Sequence, residues 1–550
     1  MEHAPTHEVL NQPPPLEDYS LYETDTALRE GVSREGGNVF EAQLRAFGAL
    51  VGRADTFALG RQANRYPPEL RTHDRFGHRI DEVEFHPAWH AVMRLAMEHR
   101  VHNLPWARPE AGGVVARAAL LSMLSQVEAG SCCPLTMTFA AWPVLRDDAA
   151  LAAEWGPRLR GNVYEPRLLP PSEKSAVLIG MAMTEKQGGS DVRANTTRAE
   201  RAGGADEYAL TGHKWFCSAP MSDAFLVLAQ IEPRGGLSCF FVPRFRPDGT
   251  RNTIHLQRLK DKLGNRSNAS SEVEFRGTWS RLVGEPGRGV RTILEMVQHT
   301  RLDCVSGSAG LMRQAIAQAL HHAQHRAAFG RKLIEQPLMQ NVLADLALES
   351  EAASALMLRL ARAFEASAGS AERAFARIAT AAAKYWVCKR TPQLIGEAME
   401  CLGGNGYVEE SILPRLYREA PVNAIWEGSG NIMCLDVLRA LVREPECVPA
   451  LLDEIRLARG ANRRLDAWTA KLEAELADPA DAELRARRTV ERIALALQAS
   501  LLVRFAPSFV ADAFCAGRLG EDGGVAGLQF GALPRGVDVG KVVERARVSE

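Results

Sequence analysis

The chain has 550 residues, of which 46% are hydrophobic, and its 66 basic and 67 acidic side chains leave a net charge of −1. A chain of this length is expected to form several domains, and its balanced charge excludes a whole-molecule attraction to nucleic acid or to a membrane surface. The ten cysteines include no Cys-x-x-Cys pair, which argues against a disulfide scaffold or a zinc site and favours a reducing cytoplasm.

The first third of the chain is predicted to be helical behind an extended arm. Residues 1–35 are rich in Pro, Glu and Thr, a composition that favours an arm without a packed core. They lack the basic start and apolar stretch of a signal peptide, and no uninterrupted apolar run in the chain reaches membrane-spanning length. Apolar residues at helical spacing follow from about 38 to 144, and the Gly- and Pro-rich stretch 156–172 is typical of a linker. We therefore expect residues 1–180 to form an N-terminal arm and an α-helical domain.

The pattern changes to short apolar runs between turn signals in residues 181–283. The runs 225–228, 239–242 and 273–275 predict strands, and Pro247-Asp248-Gly249 predicts a turn between two of them. We expect a β domain here.

Long helical patterns dominate the rest of the chain. Stretches such as 338–365 and 371–388 predict a helical bundle in residues 284–445. Apolar residues at helical spacing continue beyond it, so residues 446–550 are expected to form an extra helical domain.

A polar loop with two adjacent glycines follows the apolar run 177–181. Thr184 and Ser190 supply hydroxyls, and Gly189 lets a backbone approach a ligand closely. Such a loop, flanked by Met183 and Val192, suits a ring edge rich in heteroatoms with a pyrophosphate behind it. Taken alone, the motif is more typical of a tight polar turn.

Two later stretches favour the ligand interpretation. Trp215 and Phe216, at a predicted strand edge, are able to cover a flat ring, and Ser218 is able to reach a ring nitrogen. The second stretch places one carboxylate between an aromatic side chain and a glycine. Its residues are Trp426, Glu427, Gly428, Ser429 and Asn431.

Together the three stretches resemble the acyl-CoA dehydrogenase family of flavoproteins, over roughly residues 40–440. The resemblance implies an α+β fold with an N-terminal α-helical domain, a middle β-barrel domain and a C-terminal four-helix bundle. It also implies FAD as cofactor, held by residues of all three stretches.

Glu427 is the predicted catalytic base. Oxidation of an acyl thioester at its α and β carbons needs a base for the α proton, and an apolar neighbourhood with Trp426 would raise the pKa of this carboxylate towards neutral pH. A surface glutamate in a loop is the alternative. Some relatives carry the base on a bundle helix just before an arginine, but the corresponding residues are Thr300 and Arg301.

Arg326, Phe329 and Gln336 resemble the family element that grips the pyrophosphate and adenosine of the cofactor across a subunit boundary. The planar fork of arginine suits phosphate oxygens, although Arg326 alone is more typical of a solvated helix end. Gly403 and Gly404 resemble the family's glycine turn near the same adenosine, or else a helix C-cap.

Several departures point to one branch of the family. Lys186 stands where proline is usual, Cys217-Ser218 where asparagine or threonine is usual, and the stretch 262–270 is unusually polar. These features, the proline-rich start and the extra C-terminal domain resemble the branch that serves the bacterial adaptive response to DNA alkylation. The resemblance implies a homotetramer, non-specific binding of double-stranded DNA through the C-terminal domain, and weak acyl-CoA dehydrogenase activity of the isovaleryl-CoA type. Two alternatives remain: a catabolic acyl-CoA dehydrogenase without a DNA role, and an assembly that uses FAD only structurally.

The charges of the C-terminal region give mixed support for DNA binding. Residues 446–550 contain 15 basic and 16 acidic side chains. Arginines nevertheless recur at spacings that would line one helix face, and such a face suits phosphates unless it pairs with nearby carboxylates. The candidate DNA-binding residues are Arg439, Arg443, Arg456, Arg459, Arg463, Arg485, Arg488 and Arg492.

Overall fold

A computed structural model describes residues 6–204, 206–232, 235–521, 524 and 529–548. Within these ranges, no helix combines the length and hydropathy needed to span a bilayer. The architecture is a mixed α and β fold in three successive parts, as the resemblance implies, followed by further helices.

The N-terminal part is helical, as predicted, with one β-hairpin. Its helices are α1 Thr26–Arg34, α2 Glu41–Val51, α3 Ala54–Arg65, α4 Pro87–Glu98, α5 Leu104–Ala107, α6 Gly113–Val127, α7 Cys132–Leu145 and α8 Ala149–Leu159. The antiparallel hairpin pairs β1, Glu69–His73, with β2, Arg79–Glu84. The helical prediction is wrong at this hairpin, because its strands are charged and mostly exposed and therefore carry no alternating apolar signal.

The expectation that residues 1–35 lack a packed core is wrong for their second half. Residues 1–5 lie outside the described part. Leu21 and Tyr22 are buried, and so are Leu28 and Val32 of α1. The Asp25 carboxylate accepts a hydrogen bond from the Leu28 amide and starts the helix. Four apolar anchors and a cap are sufficient to fold a segment whose average composition is polar.

The middle part is a closed β-barrel. Its strands are β3 Ile179–Ala182, β4 Arg198–Arg201, β5 Glu207–Ser218, β6 Ala224–Ile231, β7 Gly236–Pro243, β8 Ile254–Leu259 and β9 Ser270–Val283. The ring closes because β6 pairs with both β4 and β7, while β5 pairs with β4 and β9, and β9 pairs with β7. β3 extends the sheet from β6 and β8 extends it from β9. The predicted strands at 225–228, 239–242 and 273–275 lie in β6, β7 and β9.

Three long helices form the centre of the C-terminal part, and α14 packs on one of them, α11. The elements are α9 Gly289–His325, the short strands β10 Ala327–Ala328 and β11 Arg331–Lys332, α10 Pro337–Ala363, α11 Ser370–Cys401, α12 Gly404–Tyr407, α13 Leu413–Asn423 and α14 Gly430–Arg443. α9 is buried on nearly all sides because it packs against α6 and α7 as well as α10 and α11. The expected bundle is present.

The last region adds five helices to the same core. They are α15 Cys447–Arg456, α16 Arg463–Ala477, α17 Ala482–Phe505, α18 Ser508–Arg518 and α19 Val539–Ala546. α17 packs on α10, α11 and α14, and its buried side chains belong to the apolar cluster of the bundle. The boundary at 445/446 stays a prediction of domain organisation, but the helices beyond it share a core with those before it.

Candidate functional site

The glycine-containing loop after β3 is fixed by a buried ion pair that the sequence did not reveal. Glu185 accepts hydrogen bonds from Lys214 Nζ on β5 at 2.8 Å and from the Thr197 hydroxyl at 2.6 Å, and both charged side chains are fully buried. Burial opposes the charge of Glu185, but the nearby ammonium and the hydrogen bonds outweigh it and lower its pKa to about 2. Only the fold brings these two residues together.

This anchored loop has the shape that a flavin edge requires. The Trp215 amide donates to the Thr184 carbonyl at 2.8 Å, which holds the loop beside the aromatic end of β5. A Cβ added at Gly189 would lie 2.4 Å from the Thr184 hydroxyl, so the position requires glycine. Gly189 and Ser190 are exposed, and Met183, Thr184 and Val192 are partly buried beside them. The hydroxyls and the glycine fit the FAD ring edge.

Trp215 and Phe216, the aromatic residues predicted to cover the cofactor, both lie near Lys260. Lys260 Nζ lies 3.1 Å from the centroid of the Trp215 ring and 4.9 Å from that of Phe216. Phe216 is 51% exposed. Phe216 therefore has the longer distance to the cation and a ring that solvent reaches.

Ser218 belongs to a polar cluster that also contains a buried lysine. Its Oγ lies 3.4 Å from the Ser270 hydroxyl, which in turn accepts from Lys262 Nζ at 3.0 Å. Burial lowers the pKa of Lys262 to about 8. Burial raises the pKa of the neighbouring Cys133 thiol to about 12, and the charge of Glu427 acts in the same direction.

Glu427 lies in the turn between α13 and α14 and is held from two bundle helices. The Thr300 hydroxyl donates to its carboxylate at 2.8 Å, and Arg301 Nε donates to its carbonyl at 3.0 Å. Lys384 Nζ on α11 donates to the carbonyl of Gly428 at 2.8 Å. Glu427 has a φ of 58°, which is uncommon for a residue with a side chain. These contacts fix a strained backbone and aim the carboxylate inwards.

The environment of Glu427 suits a general base. Burial raises the pKa of its carboxyl group, while the Thr300 hydrogen bond and the Lys384 and Arg301 charges limit the rise. The alternative of a solvated surface glutamate does not fit this partly buried, hydrogen-bonded side chain. Thr300, where some relatives carry the base, instead donates a hydrogen bond to the base.

The neighbours of Glu427 in the motif are engaged in different ways. The Trp426 indole donates to Asn423 at 3.1 Å, which orients the ring over the end of α13. Ser429 is exposed at the start of α14. The Asn431 amide oxygen accepts from Arg487 Nε of α17 at 2.8 Å, so the C-terminal helices reach a predicted cofactor residue.

The residues predicted to hold the adenosine end lie on exposed turns. Phe329 is 97% exposed at the tip of the β10–β11 hairpin, and Gln336 closes the hairpin by donating to the Ala328 carbonyl at 3.0 Å. Arg326 donates from Nη1 to the carbonyl of Asn11 in the N-terminal arm at 2.6 Å. This exposure agrees with a contact to a second subunit, which stays a prediction.

The predicted glycine turn also lies open to solvent. Gly403 has a φ of 59° and a ψ of −141°, so the conformation requires glycine but is not the left-handed helical cap. A Cβ added at Gly403 or Gly404 would meet open space.

The first group of predicted DNA-binding arginines does not lie on one helix. α15 ends at Arg456, Arg459 lies in the following turn, and Arg463 begins α16, so the expectation of a single arginine face is wrong here. The turn is made by Gly460, with a φ of 82°, and by Asn462, whose side chain caps α16. Arg459 and Arg463 are exposed, and so are Arg439 and Arg443 of α14.

The second group faces Glu475 of α16. Arg492 is buried, its Nε lies 3.0 Å from Glu475, and its guanidinium lies over the Trp468 ring at 4.5 Å. The prediction that Arg492 contacts phosphate is wrong, because its charge holds α16 against α17. Arg485 bonds to backbone carbonyls of the preceding turn, and Arg488 is 67% exposed.

Three family profiles match the chain in succession. The adaptive response protein AidB N-terminal domain matches residues 11–166, the acyl-CoA dehydrogenase middle domain matches residues 180–278, and the acyl-CoA dehydrogenase C-terminal domain matches residues 287–442.

Individual relatives match over most of the chain. The putative acyl-CoA dehydrogenase AidB of Escherichia coli is 50% identical over 525 residues, which cover 95% of this chain and 96% of that protein. Acyl-CoA dehydrogenase family member 11 of Caenorhabditis elegans is 32% identical over 72% of this chain and 66% of its own length. The crystal structure of Caenorhabditis elegans ACDH-11 in complex with C11-CoA superimposes with a TM-score of 0.86 at 27% identity, covering 96% of both chains.

Proposed function

Because the chain belongs to the acyl-CoA dehydrogenase family, in the branch that contains AidB, and is therefore an FAD-dependent oxidoreductase, we propose the following role. It is a cytoplasmic homotetramer of the alkylation response that binds double-stranded DNA non-specifically. It also dehydrogenates acyl-CoA thioesters of the isovaleryl type weakly.

The observation that carries the catalytic part is the placement of Glu427. Its carboxylate accepts a hydrogen bond from Thr300, and the adjacent Trp426 packs against the apolar cluster that Met183 and Val192 of the glycine-containing loop also contact. The glycine-containing loop, Phe216 and Ser218 would hold FAD, which would supply the acceptor for the hydride of the β carbon. Glu427 takes the α proton, and its raised pKa brings its basicity closer to neutral pH. The complex of the Caenorhabditis elegans relative with C11-CoA supports an acyl-CoA as the ligand.

The test is anaerobic reduction of the bound flavin by isovaleryl-CoA. Glu427→Gln keeps the shape of the side chain and removes the base, so the reduction rate should fall by at least about 100-fold. Glu483→Gln, an exposed change on α17, is the matched control, and its bound flavin should be reduced at the parental rate. Unchanged reduction in Glu427→Gln would assign the base to another residue.

The DNA-binding part rests on the family branch and on exposed arginines of the C-terminal helices. With a net charge of −1, the attraction to phosphates must come from local groups. Arg443 and Arg459 are exposed, and Arg463 has 88% of its side chain accessible. A tetramer presents four copies of each, so weak contacts add through multivalency. The catabolic alternative takes over if duplex DNA does not bind even at low salt.

A further inference from the structure

A large cavity has an arginine-rich lining that does not include Glu427. Its volume is about 940 Å³, and it is bounded by α3, by arm residues 15–17, by loop residues 264–266 and by the start of α13. This volume is in the range of sites for small organic ligands. The basic residues that line it are Arg61, Arg65, Arg266, Arg415 and Arg418.

Arg415 is the basic group that the surrounding protein does not satisfy. Its Nη1 atom is buried and has no hydrogen-bond partner among the described residues. The side chain extends from α13 to α3, where a Cβ added at Gly60 would lie 3.0 Å from Nη1. The same Cβ would lie 2.3 Å from the Val127 carbonyl oxygen, so Gly60 allows the close approach of α6 first and the guanidinium second. A buried N–H group without a partner is costly, and an anion that accepts from the guanidinium would offset that cost.

The carboxylates around Arg415 are already engaged. Glu128 accepts from the Ser267 hydroxyl at 2.6 Å and the Ser131 amide at 2.6 Å. Glu419 accepts from the Asn265 amide at 2.6 Å and from its side chain at 2.7 Å. Burial lowers the pKa of Arg415, and the charges of neighbouring arginines lower it further. The charges of Glu128 and Glu419 act in the opposite direction and raise the pKa of Arg415.

The remaining charged groups lie at the edge of the cavity. Arg418 forms a two-point ion pair with Glu409, at 2.6 and 3.0 Å. Glu17 and Glu410 line the cavity as well. Arg65 and Arg266 are exposed and provide further donors beside Arg415.

We propose that this cavity binds a small phosphate-bearing ligand whose phosphate group is held by Arg415 with Arg61, Arg65 and Arg266. The planar fork of arginine matches phosphate oxygens and supplies several donors at once. The cavity is recessed between three parts of the fold, which suits a small molecule, whereas a DNA duplex meets only its rim.

The test uses the full-length protein saturated with FAD, so that the cofactor's own phosphate site is occupied. Inorganic phosphate and glycerol phosphate, added at constant ionic strength, should raise the melting temperature saturably, while acetate should not. Arg415→Gln should weaken phosphate binding at least about tenfold by calorimetry, as expected for loss of a charge-assisted hydrogen bond. Without phosphate, Arg415→Gln should melt at or below the parental temperature, because Glu128 and Glu419 lose a nearby positive charge.

Arg65→Gln keeps the test independent of folding, because Arg65 is an exposed side chain on α3. This substitution should weaken phosphate binding without changing the melting temperature of the phosphate-free protein. Arg75→Gln, exposed near the β1–β2 turn, is the matched control and should bind phosphate normally. An equal loss of melting temperature in Arg415→Gln with and without phosphate would show a purely structural residue and overturn the proposal. Equal stabilisation by acetate, or displacement of phosphate by duplex DNA together with weaker DNA binding of Arg415→Gln, would also overturn it.

Discussion

At the residue scale, the protonation state of Glu427 is set by a few named contacts. Burial raises the pKa of this carboxyl group, and the Thr300 hydroxyl is the largest influence that lowers it. A base with a raised pKa is protonated and inactive at low pH, so flavin reduction should gain rate as the pH rises through that pKa.

Thr300→Val should shift the rise in the flavin reduction rate to higher pH. Loss of the hydrogen bond disfavours the carboxylate, so a larger fraction of Glu427 stays protonated at a given pH. The rate on the acid side should fall by about tenfold, the equivalent of one hydrogen bond to a charged group. The rates of the two proteins should converge at high pH, where Glu427 is deprotonated in both. The measurement is stopped-flow flavin reduction across pH. Thr292→Val on the same helix should leave the profile in place, whereas a uniform loss of rate in Thr300→Val at every pH would contradict this role.

Motifs predicted the candidate site residues, but not the residues that support them. Glu427 and Gly189 stand in stretches whose local chemistry is readable from the sequence. Lys214, 29 positions from Glu185, and Thr300, 127 positions from Glu427, act through contacts that exist only in the folded chain. No local pattern distinguishes such partners from ordinary polar residues.

At the scale of elements, the β10–β11 hairpin carries the prediction of assembly. Phe329 at its tip is 97% exposed and has a φ of 54°, an uncommon conformation for an aromatic residue. A hairpin that presents such a side chain to solvent is expected to contact a second subunit or its cofactor.

Phe329→Ser should weaken both the tetramer and FAD retention, because ligand binding and assembly are linked. Light scattering measures the mass of the assembly, and the flavin content after dialysis measures FAD retention. We expect the affinity for FAD to fall by at least about tenfold, which is near the cost of removing a buried aromatic ring. Phe76→Ser is the control, since Phe76 is 69% exposed near the turn of the other hairpin. A tetramer with full FAD content in Phe329→Ser would refute this assignment.

The spacing of the arginines alone gave a wrong prediction for α15 and α16. Arg456, Arg459 and Arg463 have the separation of a helix face, but Gly460 and Asn462 end one helix and cap the next between them. Both are ordinary stop and start signals, and the arginine spacing drew attention away from them. The long helix α10 followed its apolar pattern closely because no glycine interrupts it. α11 continues through Pro392 to Cys401, beyond the end of the predicted stretch at 388.

At the scale of the whole molecule, the C-terminal helices are part of one core. The buried face of α17 joins the apolar cluster that spans the bundle and the N-terminal helices. Removing residues 446–550 would expose this cluster, so a truncation does not test DNA binding cleanly. Sequence periodicity predicted the helices but not this packing, because it does not specify which element an apolar face meets.

DNA binding is therefore tested by neutralising exposed arginines that no core packing requires. Arg443, Arg459 and Arg463 lie on consecutive elements, from the end of α14 to the start of α16. Each lost phosphate contact lowers the slope of log affinity against log salt by about 0.9, so the triple change to Gln should lower it by up to about 2.7 per engaged subunit. Affinity should fall similarly for unrelated sequences, since phosphate contacts carry no sequence information. Fluorescence anisotropy of a labelled duplex across salt concentrations measures both the slope and the affinity.

The control changes Arg53, Arg75 and Arg288 to Gln. These residues are exposed in other parts of the fold, and the change removes the same total charge. If both triple variants lose affinity equally, only the net charge matters and these elements are not the DNA surface. If the C-terminal triple alone loses slope while its flavin content is unchanged, the contact to DNA lies on this side of the molecule.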